Sequence, residues 1–448
     1  MLIVIIAVGF IAFIAVLLTK RSTALVVAVT AGAISAVLVP SFGPAPDLKA
    51  AALVVTIVPL TLAILRNGSA LLRQRLQLPL ILYFIYSSIM ATVNASGPAT
   101  VLALATGLSL LLLVLCNNLI TDQKIAMLAR LMVVVVVFQF FLGFNEAVLG
   151  NPALWPRPDG SDRILSRVNH FAEFLPGRVL GSTAGPIPYG TLAAIGLMAS
   201  LWIAVEQRKR VYWFAVVAAA GALLFSGTRS ALLAVILAII AWILVRSRVS
   251  RPLIVLFGVL GAFIFAASVN VVALFGFSDF ADSTSYVHRS GVIGSVGSLL
   301  TQQPMFNVLF GNGALANTLL TNGVIGSADS VPVYDNQFVR EIAVSGILGF
   351  GLLVIAIVVG LKRGDMLSRL CLGILVLMFF SFDALTWRAV AIVFAMVCSG
   401  PVGGTRLTKS SLAEPEQVEL PGSSPPPTRG SGRGTESVST RASARPRH

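Results

Sequence analysis

Long apolar runs, each about the length of a bilayer crossing, alternate with short polar breaks over the first 400 residues of this chain. A bilayer core calls for roughly 17–25 predominantly apolar residues per crossing. In lipid the backbone must satisfy its own hydrogen bonds, which a helix does within one segment. The pattern predicts helices at about 2–19, 22–39, 50–65, 78–93, 99–116, 125–142, 187–205, 211–226, 230–245, 252–275, 337–361, 367–384 and 387–400. The last two form a tight pair, so the count is 12 or 13. The expected fold class is an all-α polytopic membrane protein with two long extracytoplasmic loops.

The polar breaks set the orientation. Lys and Arg in short loops favour the cytoplasm. They cluster at Lys20-Arg21, Arg66 with Arg73 and Arg75, Lys124 with Arg130, Arg208-Lys209-Arg210, Arg246 with Arg248 and Arg251, and Lys362-Arg363 with Arg369. Counting helices between clusters puts all of them on one side, so the N-terminus faces outside. The chain then divides into N-terminal helices (1–142), an outer loop (143–186), central helices (187–275), a large outer loop (276–336), C-terminal helices (337–402) and a cytoplasmic tail (403–448). The tail is rich in Pro, Ser, Gly, Arg and Thr and is expected to be disordered. Its arginines can touch anionic lipid heads, though the plainer and preferred reading is a solvated tail without a specific partner.

Composition agrees with this division and narrows the function. The chain is 56% hydrophobic and 11% charged, against roughly 25% charged in soluble domains. The net charge of +14 sits in cytoplasmic breaks and the tail, so it does not indicate nucleic acid. Cys116, Cys371 and Cys398 lie in or at the ends of apolar runs, which predicts neither a disulfide nor a metal site. Apart from Arg229 near a helix end and Asp383 at a hairpin, charges are expected to avoid the helices.

Chemistry is therefore expected in the outer loops. Loops longer than about 12–15 residues are usually functional or disordered. Gly143–Pro186 carries Arg157, Asp159, Asp162, Arg163, Arg167, His170, Glu173 and Arg178; Gly276–Asn336 carries Asp279, Asp282, His288, Arg289, Asp329 and Asp335. Arg229, in Ser226-Gly227-Thr228-Arg229-Ser230, sits at an outer helical hairpin. A charge there needs a wet cavity or a partner; the plainer reading is an arginine anchoring a lipid phosphate. Arg178 and Arg289 read either as solvated or interfacial side chains, or as phosphate ligands, since a guanidinium matches phosphate oxygens; His170 and His288 are isolated, as structural or solvated histidines more often are than ligands. Asp335 precedes a predicted helix and is either its N-cap or a reactive carboxylate. Gly346 and Gly349 are expected to allow close helix packing. No Walker loop, HExxH, nucleophile elbow or DxD pair is present.

Four stretches in this order resemble the O-antigen ligase and Wzy-type O-antigen polymerase superfamily: Arg178 through Gly190, Ser226 through Ala231, Arg289 through Gly313, and Asp335-Asn336 through Gly349. The resemblance implies a membrane glycosyltransferase of the GT-C type. Such an enzyme transfers a polyprenyl-diphosphate-linked glycan to a glycan, lipid or protein acceptor at the outer face of the bacterial cytoplasmic membrane. It implies Arg229 and Arg289 as ligands of the diphosphate and Asp335 as base or orienting group. Arg178, His288, Gly311, Gly313 and Asn336 are then implied in substrate binding, with no cofactor and no metal. Lipid A-core ligases carry a histidine where Asp335 stands, which favours a polymerase or another transferase. Two other classes stay open: a transporter of lipid-linked saccharide, and a non-catalytic partner in a glycan-assembly complex. A transporter would carry ionisable residues at mid-membrane on discontinuous helices.

Overall fold

The computed structural model describes residues 2–42, 44–71, 77–120, 124–155, 169, 175, 177–247, 291–322, 325 and 334–399. The predicted helix at 252–275, the tail, and His170, His288 and Arg289 lie outside the described residues. Regular structure among the described residues is entirely helical. Among the described residues seven helices are long and apolar enough to cross a membrane: Arg21–Leu38, Pro46–Leu71, Pro98–Leu119, Lys124–Ala147, Pro186–Glu206, Arg229–Arg246 and Gln337–Arg363. Shorter apolar helices include Leu2–Leu18, Leu78–Thr92, Tyr212–Ser226, Met366–Phe379 and Arg388–Cys398. The chain is an all-α, multi-pass membrane protein.

Helix Pro186–Glu206 is the central post, buried along almost its whole length. Pro186 and Pro188 occupy its first turn, where a missing N–H costs nothing. Gly190 lets the hairpin at 226–228 approach: a Cβ there would lie 2.8 Å from Ser226 Oγ and 2.9 Å from Thr228 Oγ1. Arg388–Cys398 is buried at every position. With 11 residues it spans only about 16 Å, short of the roughly 30 Å hydrocarbon core. The predicted pair 367–384 and 387–400 is thus a shorter internal hairpin. Asp365 caps its first helix, accepting from Ser368 N at 3.0 Å, and a 3-10 turn at Ala384–Thr386 sits at its tip.

Three sequence expectations change here. First, the large outer loop is not irregular where it is described. It forms short helices at Val296–Thr301, Met305–Phe310 and Ala316–Thr321. Val292 just before them and their Leu299, Leu319 and Leu320 bury against Tyr334, Val339, Ala343 and Val344. Second, Gly346 does more than admit a neighbour. Its φ of 65° and ψ of −171° break helix Gln337–Arg363. A Cβ there would meet the backbone of Leu309 and Gly311, so glycine is required on steric and conformational grounds. Third, charges do enter the helices: Glu341, Arg388 and Lys124 are all buried.

The described members of the basic clusters gather at one end. Arg66 donates to Val16 O, and at 2.9 Å to Thr19 O. Lys124 donates to Ser399 O, and Arg246 pairs with Glu206 at 2.6 Å. Impermeant thiol labelling reads out the orientation, because all three native cysteines are buried. In spheroplasts, Ser96→Cys, at the opposite end, is expected to label from outside and Ser247→Cys only after permeabilisation. Labelling of both from one side would overturn the topology.

Candidate functional site

The end opposite the basic clusters holds two polar groups of residues. The first is built on the hairpin between Tyr212–Ser226 and Arg229–Arg246. Gly227 takes φ 58° and ends the first helix in the left-handed conformation. Arg178 reaches across from the preceding loop: its Nε donates to Ser226 O at 2.9 Å and its Nη2 to Thr228 Oγ1 at 3.0 Å. Thr228 Oγ1 in turn donates to Pro186 O at 3.0 Å. Asn169 Nδ2 donates to Leu224 O at 2.8 Å. Glu146 holds the same loop, accepting from Leu180 N at 2.9 Å and Gly181 N at 3.0 Å. Arg229 follows directly, at the first helical position, with an exposed side chain. Arg178 and Arg229 therefore sit on one braced turn, 51 positions apart in sequence.

The second group surrounds the start of helix Gln337–Arg363. Asn336 is its N-cap, its side-chain oxygen accepting from Phe338 N at 2.9 Å and Val339 N at 3.1 Å. The cap expected of Asp335 thus falls one residue later, because the helix begins at Gln337, and a cap oxygen must reach donors two and three residues on. Arg340 Nε lies 4.0 Å from Asp383 Oδ2 in the turn of the internal hairpin. Thr386 Oγ1 and Trp387 Nε1 donate to the same carboxylate at 2.9 and 3.4 Å. Burial pushes the Asp383 carboxyl up to about 6, Arg340 opposes the rise, and Asp335 adds to it. Gln337 Oε1 accepts from Leu385 N at 2.8 Å, which fixes the turn against the helix.

The loop carrying Arg178 touches both groups. A Cβ on Gly185 would lie 2.7 Å from Trp387 Cη2, and Trp387 is the residue bonded to Asp383. The structure thus brings Arg178, Arg229, Asp335, Arg340 and Asp383 to one end of the bundle. Arg340 and Asp383 were not among the expected site residues. The available signals were a basic residue one turn into a capped helix and an acid between two apolar segments.

Gly311 and Gly313 are buried structural points. Gly311 has φ 90° and abuts the backbone of Val344 and Gly346, while Gly313 has φ 58° and would place a Cβ 2.5 Å from Val93 O. Together they seat the short helices on Leu78–Thr92 and on the broken helix. They flank a cavity of about 240 Å³, lined by Phe306, Phe310, Asn94, Asn307 and Asn312 among others. Among the described residues no three His, Cys, Asp or Glu side chains are arranged to hold a metal ion. No protein-family model matches the chain, and no curated protein matches it.

Proposed function

We propose that this protein is a bacterial inner-membrane glycosyltransferase that polymerises or ligates polyprenyl-diphosphate-linked saccharide at the outer face of the membrane. The observation carrying the reading is the braced turn Arg178–Thr228–Arg229, at the end of the bundle away from the basic clusters. Arginines at that level suit a diphosphate at the bilayer surface. In the proposed reaction the acceptor hydroxyl attacks the anomeric carbon of the donor, the bond from that carbon to the phosphate oxygen breaks, and the polyprenyl diphosphate leaves. Arg229 and Arg289 stabilise the charge that develops on the leaving group. Asp335, relieved of the cap role by Asn336, takes the hydroxyl proton or orients the acceptor. Neighbouring positive charge weakens a carboxylate as a base, which favours orientation, and the hydroxyl proton then passes to the departing diphosphate or to water.

The test is reconstitution with a polyprenyl-diphosphate glycan donor. Longer glycan with stoichiometric release of polyprenyl diphosphate supports transfer. Movement of intact donor across the vesicle without release supports a transporter. That second reading gains from one observation, the helix broken at Gly346 beside the buried Glu341, a pattern of ion-coupled transporters. Turnover is further expected to survive chelation of divalent cations, because arginines supply the charge a metal would otherwise bring. Loss on chelation with restoration by magnesium would replace the arginine mechanism.

A further inference from the structure

Glu341 lies in the last turn-and-a-half of helix Gln337–Arg363 before its break at Gly346. It is 1% exposed. Tyr83 Oη donates to its Oε2 at 3.0 Å and Gln337 Nε2 at 3.2 Å. Among the described residues its Oε1 has no hydrogen-bond partner, and neither does Ser345 Oγ one turn further on. Residues four apart share a helix face, and both of these face the position of Gly349. A Cβ at Gly349 would lie 3.2 Å from Glu341 Oε1, 3.1 Å from Tyr86 Cε1, and in contact with Ser345 Cβ. Only glycine at 349 leaves Ser345 and Glu341 the positions they hold, because any side chain there would clash with Ser345.

Among the described residues no basic side chain forms a salt bridge with Glu341. The adjacent Arg340 is turned to Asp383. The buried Arg388 spends its Nη2 on Ala52 O and Thr56 Oγ1 at 3.1 and 2.7 Å. A buried carboxylate without a counter-charge is costly. The break adds negative potential, since a helix C-terminal end carries partial negative charge and residues 337–345 end here. Hard oxygen donors, a single carboxylate and the end of a half-helix are what an alkali cation takes in membrane proteins.

We propose that Glu341 Oε1 and Ser345 Oγ form a binding site for a monovalent alkali cation at the break of helix Gln337–Arg363. The cation neutralises Glu341 and ties the first half-helix, with Asn336 and Arg340 on it, to the second. No covalent step is involved. The proposal goes beyond the glycan reading and does not depend on it.

The test uses purified full-length protein in nanodiscs without saccharide. Radiolabelled sodium is titrated by scintillation proximity. Thermal midpoints are compared in sodium chloride and choline chloride at equal ionic strength. Saturable sodium binding and a midpoint raised by sodium but not choline are expected. Glu341→Gln keeps an oxygen that accepts from Tyr83 but removes the charge, and both effects should vanish. Ser345→Ala keeps the charge and removes one ligand, so it should shift the titration to higher sodium. It also decides the matter if Glu341→Gln does not fold. Wild-type protein without saturable binding, or a Ser345→Ala titration that coincides with wild type, overturns the proposal.

Discussion

Alanine at Arg229 or at Arg289 is expected to lower glycan transfer by roughly 10²–10³, the usual loss when a transition-state charge partner is removed. Arg229 is held at the first position of its helix by the turn that Arg178 braces through Ser226 and Thr228. Arg229 is an exposed residue at the end of the bundle. Truncating it should therefore spare the fold, and amounts of protein in the membrane should match wild type. Arg229→Lys keeps the charge but loses the planar fork, so most of the rate should still be lost. If the two arginines grip one diphosphate, the double variant should lose less than the product of the single losses. Arg178→Ala acts differently. It removes the brace on the turn, so its defect should appear in thermal stability as well as in turnover. Near-full polymer synthesis by Arg289→Ala in normally inserted protein would end the diphosphate-clamp reading.

Asp383 is expected to make the protein less stable as pH rises from about 4 to about 6. Its side chain is 15% exposed, and burial lifts its carboxyl from an ordinary 3.8 to about 6. Between those values the folded protein holds a proton that the unfolded chain has released. Stability falls with rising pH wherever the folded state binds more protons. The loss begins near 3.8, is complete above about 6, and is on the order of 2–3 kcal/mol from a shift of this size. Asp383→Asn should flatten that part of the curve, and the difference between the two melting profiles isolates the residue from other groups. The Arg340 pair sets the functional side. Above about 6 the ionised carboxylate faces Arg340, and below it the pair is lost. A melting profile of Asp383→Asn parallel to wild type from pH 4 to 7 would contradict the assignment.

Much of the fold was legible because membrane helices declare themselves locally. A run such as Lys124–Ala147 or Pro186–Glu206 needs only its own apolar length and its own backbone bonds, so its existence follows from residues inside it. Boundaries agreed to within a few residues for most helices, as with 99–116 against Pro98–Leu119. Helix Pro46–Leu71 differed more: its start at Pro46-Asp47 is polar and carries no hydropathy signal. Arg178 and Arg229 were legible as candidates because an arginine beside small polar residues at a helix end is costly without a purpose.

The sequence by itself determined the helical, membrane-spanning class and the order of the helices, since each depends on local hydropathy. Only the tertiary structure decided which polar residues meet. Arg178 joins the turn at 226–228, Arg340 meets Asp383, and Glu341 meets Tyr83, 258 positions away. The break at Gly346 was likewise hidden: a glycine in an apolar run reads as a packing residue, and neither its positive φ nor the nearness of the Leu309 and Gly311 backbone, which leaves no room for a Cβ, shows locally. The short helices of the outer loop were hidden for the same reason. Their apolar faces are too brief to signal a helix alone and acquire their meaning only when Val339 and Val344 cover them.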